Sequence, residues 1–176
     1  MLNDLYQLSL AHGYKIITCA ILVGFLLALT YTDLTRYQLP DRLTLSLLWI
    51  GLLLHAVFNP QYLASAIFGA VGGYLSLWTL YWLIKRVTKK EGLGYGDFKL
   101  MAALGAWLGW ECLPFVAVYA SITGIIAYVA RFVLLRNKGE IPFGPFLAAS
   151  GGAIYISQQV YSLADSRCVF CVTLTL

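Results

Sequence analysis

The chain has 176 residues, 60% of them hydrophobic and 11% charged, with a formal net charge of +4. Soluble domains carry about 25% charged residues, so this composition excludes an ordinary water-soluble globule and indicates an integral membrane protein. The modest positive charge needs no nucleic acid to explain it, because the basic residues gather in a few loops, the pattern that orients a protein in a membrane.

A helix crossing the bilayer needs about 20 apolar residues, with shorter ones allowed. The first such stretch covers residues 16–32, after an N-terminal segment at 1–15. Its start holds an acid and little positive charge, unlike a cleaved signal peptide. Further apolar stretches follow at 43–58, 62–84, 98–110, 113–135 and 142–163, and a tail at 164–176 closes the chain. The fourth is the shortest. Its Gly105 and Gly109, like Gly69 and Gly73 in the third, form a G-x-x-x-G pair, which suits close helix contact within one chain or between chains. The expected fold is all-α: a polytopic membrane helix bundle with about six transmembrane helices over 16–163.

Loop charges set the orientation. Arg36 and Arg42 flank the first connection, Lys85, Arg86, Lys89 and Lys90 fill the third, and Arg131, Arg136 and Lys138 line the fifth. The second connection (Asn59, Pro60, Gln61) has no charge, and the fourth has only Glu111. Nine of twelve basic residues thus fall on one side, Lys99 lies just inside a span, and Lys15 and Arg167 fall opposite. This alternation supports six spans. The positive-inside rule places the odd-numbered loops in the cytoplasm and both termini outside.

Two aspartates stand out against this background. Asp33 ends the first span and Asp97 opens the fourth. Carboxylates are expensive near hydrocarbon, and an ionisable residue at that depth marks a functional site by default. Alone, Asp33 reads more readily as a helix-end or loop aspartate bonded to a neighbouring span. Asp41 follows Pro40 and precedes an apolar run, so it is expected to N-cap the second helix, where its charge also suits the helix dipole. Gly92, Gly94 and Gly96 alternate before Asp97. Glycine permits close backbone approach, and such a segment unwinds beside a membrane only where it is buried in protein or lines a wet cavity.

Both aspartates fall at the cytoplasmic ends of their spans, so they can meet. Like charges at short distance cannot both ionise cheaply, and the pair then holds one proton. The ionised member draws a proton from water while the protonated member donates to a scissile carbonyl oxygen, as in an aspartic protease. Which aspartate carries the proton stays open. Tyr37 and Tyr95 flank the pair. Lys99, two residues past Asp97, would lower its pKa, although snorkelling to the interface is the simpler account.

Other chemistries find little support. His12 and His55 read as structural or interfacial, and no G-x-S-x-G, H-E-x-x-H or Walker A motif occurs. Cys19 and Cys112 fall in or beside apolar segments and read as small buried hydrophobes. Cys168 and Cys171 form a lone C-x-x-C without the second pair a zinc ribbon needs. Neither a metal nor an organic cofactor is required.

Asp33 with Leu39-Pro40-Asp41-Arg42-Leu43-Thr44 resembles the first aspartate motif of bacterial type IV prepilin peptidases. Gly94-Tyr95-Gly96-Asp97-Phe98-Lys99-Leu100, continuing through Ala102 to Gly109, resembles the second, and Ile141-Pro142-Phe143-Gly144-Pro145 is similar to a further segment of that family. The resemblance covers roughly 16–163. It implies a G-x-G-D intramembrane aspartic endopeptidase of the bacterial inner membrane. Such an enzyme removes a short basic leader from prepilins or type II secretion pseudopilins at the cytoplasmic face. It implies Asp33 and Asp97 as the catalytic pair, with Gly94, Gly96, Asp41 and Lys99 in support. Many members also carry an N-terminal cytoplasmic domain with two C-x-x-C pairs, associated with N-methylation from S-adenosylmethionine. This chain begins at or near the peptidase half, so methylation is not expected of it. Two alternatives compete. One is a transporter subunit relaying protons or cations through the two carboxylates. The other is a non-catalytic assembly protein of a pilus or secretion apparatus.

Overall fold

The apolar runs fold as helices. The computed structural model describes residues 2–89, 94–135 and 141–164. It contains α1 (Leu2–Arg36), α2 (Asp41–Phe58), α3 (Pro60–Thr88), α4 (Tyr95–Leu108), a 3-10 turn (Trp110–Cys112), α5 (Leu113–Leu135) and α6 (Gly144–Ala164). No strand occurs among the described residues. Lys90, Gly92, Arg136, Lys138, Arg167 and the Cys168/Cys171 pair lie outside the described residues.

Local chemistry explains the helix ends. α1 stops where Tyr37 turns to φ 53, its N–H donating to the Asp33 carbonyl at 2.9 Å. Pro60 opens α3 at a position where its missing N–H is harmless. Gly109, at φ 80, ends α4 and donates to the Gly105 carbonyl at 2.9 Å. Its left-handed backbone suits glycine.

Among the described residues, four segments are long and apolar enough to cross a membrane: Gly13–Arg36, Asp41–Phe58, Pro60–Thr88 and Trp110–Leu134. α4 is different. Its 14 residues reach about 21 Å at 1.5 Å per residue, short of a hydrocarbon core of about 30 Å. It lies instead inside the protein. Every residue from Asp97 to Leu108 except Lys99 is buried. α3, α2 and α6 surround it, with α3 making the most extensive interface. Trp107 anchors it to α2, its indole Nε1 donating to the Leu47 carbonyl at 2.8 Å.

The two G-x-x-x-G pairs pack against each other within this one chain. A Cβ on Gly69 would run into the Gly105 carbonyl oxygen, and one on Gly105 into the Gly69 carbonyl oxygen. A Cβ on Gly73 would meet the Met101 carbonyl oxygen at 2.6 Å. The backbones of α3 and α4 therefore touch, with no side chain between them, as small residues permit in membrane helices.

Two boundaries differ from expectation. The first helix begins at Leu2 rather than near residue 16, so the N-terminal segment continues the helix instead of preceding it. The fourth element runs Tyr95–Leu108 rather than 98–110, with Trp110 in the 3-10 turn. The first difference arises because the polar residues before the apolar run do not break a helix. The second arises because Gly109 breaks one.

Gly105→Leu is expected to destabilise the bundle by about 1–3 kcal/mol through overpacking. Gly72→Leu, whose Cβ would meet nothing within 4 Å, is expected to be close to neutral. Thermal unfolding in detergent micelles compares the two.

Candidate active site

Three helix ends meet at one end of the bundle. A cleft of about 830 Å³ opens there, lined by segments from residues 32–41, 94–99 and 141–143. Both aspartates line it, and each is only 6% exposed. The packing of α4 inside the bundle thus carries Asp97 to Asp33.

Asp33 sits in the last turn of α1 and faces the start of α6. The Gly144 backbone N–H donates to its carboxylate. A Cβ at position 144 would strike Asp33 Oδ2 and lie 3.1 Å from its Cγ. The first residue of α6 must therefore be small for this contact, and a helix N-terminus favours an anion.

Asp97 is the third residue of α4, after the N-cap Gly94. It lies outside the four long apolar spans. Burial pushes its carboxyl up to about 7, the nearby Asp33 charge pushes the same way, and a hydrogen bond from the Gly94 backbone opposes both. The carboxylates are thus close enough to sense each other's charge, the condition for sharing a proton.

Gly96 lets the chain ahead of α2 lie against α4. A Cβ there would meet the Leu39 Cβ at 2.7 Å. Asp41 does not cap α2. Pro40 is the N-cap, no side-chain cap bond forms, and Asp41 lies in the first turn. The reason is a better partner: Asp41 Oδ1 accepts from Lys99 Nζ at 2.5 Å. Lys99 thereby corrects its own expectation too. Its charge is held by Asp41 across the cleft, and burial and the Asp33 charge are what raise Asp97.

Tyr95 lines the cleft, and its ring packs on Tyr81 and Phe98 with centroids 5.4 and 5.7 Å apart. Its hydroxyl lies 3.4 Å from that of Tyr81, which also accepts from Lys85 Nζ at 3.0 Å. His55 sits away from the cleft, with Nε2 3.4 Å from the Trp107 carbonyl oxygen. Cys112 is buried and Cys19 half-buried. Among the described residues, no group of three or more His, Cys, Asp or Glu gathers that would hold a metal ion.

Sequence reasoning missed Gly144 as a partner of Asp33 and Leu39 as the residue between the glycines. The run Ile141-Pro142-Phe143-Gly144-Pro145 was the available signal, since two prolines around a glycine mark a fixed turn into a helix. The cleft is of the size that takes ligands. It offers a buried protonatable carboxyl, a second carboxyl beside it and room for water and extended backbone.

A profile of the type IV leader peptidase family matches residues 20–129. A prepilin leader peptidase/N-methyltransferase of Aeromonas salmonicida is 47% identical over 154 residues, covering 86% of this chain and 53% of that protein. Proteins of the same name match from Escherichia coli K12, at 48% identity over 80% of this chain and 64% of theirs, and from Pectobacterium carotovorum, at 50% over 74% and 48%. The chain spans about half the length of most of these curated relatives. No solved structure matches it.

Infrared titration of the chain with labelled aspartate is expected to show a carboxyl signal with a midpoint near 7, removed by Asp97→Asn. Asp33→Asn is expected to lower that midpoint while leaving it above the ordinary aspartate value, because burial is the larger cause. A midpoint at the ordinary value of about 3.9 would contradict this geometry.

Proposed function

The chain belongs to the type IV leader peptidase family, and on that premise we propose that it is a membrane-embedded aspartic endopeptidase. Its substrates are prepilins or type II secretion pseudopilins, from which it removes the short basic leader. The observation that carries this reading is the convergence of Asp33 and Asp97 on one cleft at one end of the bundle. The proposal covers the peptidase step alone.

We assign the proton to Asp97, whose carboxyl burial and the Asp33 charge push up to about 7. Asp33 is the ionised member, facing the backbone N–H of Gly144. A water between them loses a proton to Asp33 as its oxygen attacks the scissile carbonyl carbon. Asp97 gives its proton to the carbonyl oxygen. The tetrahedral diol then collapses: Asp33 passes its proton to the leaving amine, and Asp97 recovers one from the diol hydroxyl. Both carboxyls return to their starting states, and no covalent enzyme intermediate forms.

Orientation follows from the loop cations. Arg36, Arg42, Lys85, Arg86 and Lys89 lie near the same end of the bundle as the cleft, and the positive-inside rule favours the cytoplasmic face of the inner membrane for that end. The exposed apolar faces of the long helices, such as Leu27, Trp49, Phe68 and Ile125, meet lipid. The substrate's hydrophobic helix reaches the cleft from that side.

Asp33→Asn and Asp97→Asn are each expected to lower cleavage of a prepilin by about 10²–10⁴-fold in the purified, folded chain. Activity is also expected to fall as the pH rises through about 7, because the protonated form of Asp97 is lost there. A pH–rate profile flat well beyond neutrality, or an Asn variant that cleaves at the normal rate, would refute the assignment.

A further inference from the structure

Two contacts join the segment between α1 and α2 to the first turns of α4. Leu39 lies where a Cβ on Gly96 would come within 2.7 Å of its Cβ and 3.0 Å of its Cδ1. Two residues on, Asp41 pairs with Lys99 at 2.5 Å. Positions 96 and 99 are three apart and so share a face of the helix, and Asp97 lies between them in the chain. Leu39 Cδ1 also lies 3.2 Å from where a Cβ on Gly144 would stand, beside Asp33 Oδ2. One leucine therefore touches the positions that frame both carboxylates.

The segment leaves α1 through Tyr37, a non-glycine residue at φ 53 whose N–H closes the helix on the Asp33 carbonyl at 2.9 Å, so the segment starts at a fixed turn beside Asp33. The ion pair is not explained by folding stability. Asp41 is 60% exposed and Lys99 31%, and pairs that exposed contribute little.

We propose that residues 37–41 form a strap, seated by Leu39 and clasped by the Asp41–Lys99 ion pair, that fixes the separation of Asp33 and Asp97 for catalysis. Asp41 and Lys99 are positioning residues, acting through the carboxylates rather than on the substrate. The inference rests on the peptidase reading. A small displacement of reacting groups is costly to rate without affecting binding, and that is the signature to look for.

The purified full chain is assayed in detergent with a peptide joining a basic leader to a hydrophobic helix. Asp41→Asn and Lys99→Gln are each expected to lower kcat by about tenfold with KM within about twofold. The double variant loses no more than the worse single, since both break one contact. The exchanged pair, Asp41→Lys with Lys99→Asp, recovers most of the rate. Unchanged kcat, losses that multiply in the double variant, or a loss carried by KM would overturn the proposal; the last would place both side chains on the substrate.

A second readout needs no substrate. The titratable side chains lining the cleft with Asp97 are Asp33, Arg36, Tyr37, Asp41, Tyr95 and Lys99, and Leu39→Ala alters none of them. This variant is expected to lower the infrared titration midpoint of Asp97 as water and distance weaken its shift. An unchanged midpoint would overturn the strap. If the unaltered chain fails to cleave, the peptidase reading falls and the titration alone decides the strap. If it cleaves and Asp33→Asn does not, that reading stands whatever the strap variants do.

Discussion

The backbone contact between α3 and α4 is the constraint on which the rest depends. Gly69 and Gly105 remove every side-chain atom from the crossing, so the two helices meet carbonyl to Cα. That closeness lets α4 be short. A helix of 14 residues has no place facing lipid, because its unsatisfied ends would sit in hydrocarbon. Enclosed by α2, α3 and α6, it needs no such length, and its N-terminus is free to stop within the protein at the cleft. Asp97 occupies that N-terminus. The location of this buried carboxyl is thus a consequence of glycine packing at the far end of the same helix.

The cleft is assembled from ends rather than faces. α1 contributes its last turn, α4 its first, and α6 its first backbone N–H. Each is a point where a helix leaves backbone groups unpaired, and each supplies hydrogen-bonding capacity that a helix middle lacks. Two glycines at this junction serve fit rather than flexibility. Gly144 leaves room for the Asp33 carboxylate, and Gly96 leaves room for Leu39. The electrostatics follow from the same enclosure. Burial raises the Asp97 carboxyl more than its partner's charge does.

Much of this was legible in the chain. The apolar runs locate all six described helices, because hydrocarbon leaves a strong and local signature. The alternation of Arg36, Lys85 and Arg131 with connections that carry no basic residue put positions 33 and 97 at one end, where one cleft holds both. Boundaries set by a single residue were less legible. Gly109 ends α4 through its backbone conformation, and the apolar pattern runs on past it. Asp41 looked like an N-cap because local preference favours one, but a tertiary partner, Lys99, claimed its carboxylate. The Gly144–Asp33 contact joins residues far apart in sequence, and only the fold could show it. Tyr37's left-handed turn was invisible for the same reason: its residue type argues against the conformation that the surroundings impose.

The central claim is that Asp33 and Asp97 act together on one water molecule. It is tested most directly by a structure with a peptide whose scissile bond is replaced by a hydroxyethylene group, a stand-in for the attacked diol. The account predicts the hydroxyl within about 3 Å of carboxylate oxygens from both aspartates, the reach of a hydrogen bond. A bound inhibitor whose hydroxyl touches one carboxylate alone, with the other turned away, would contradict it.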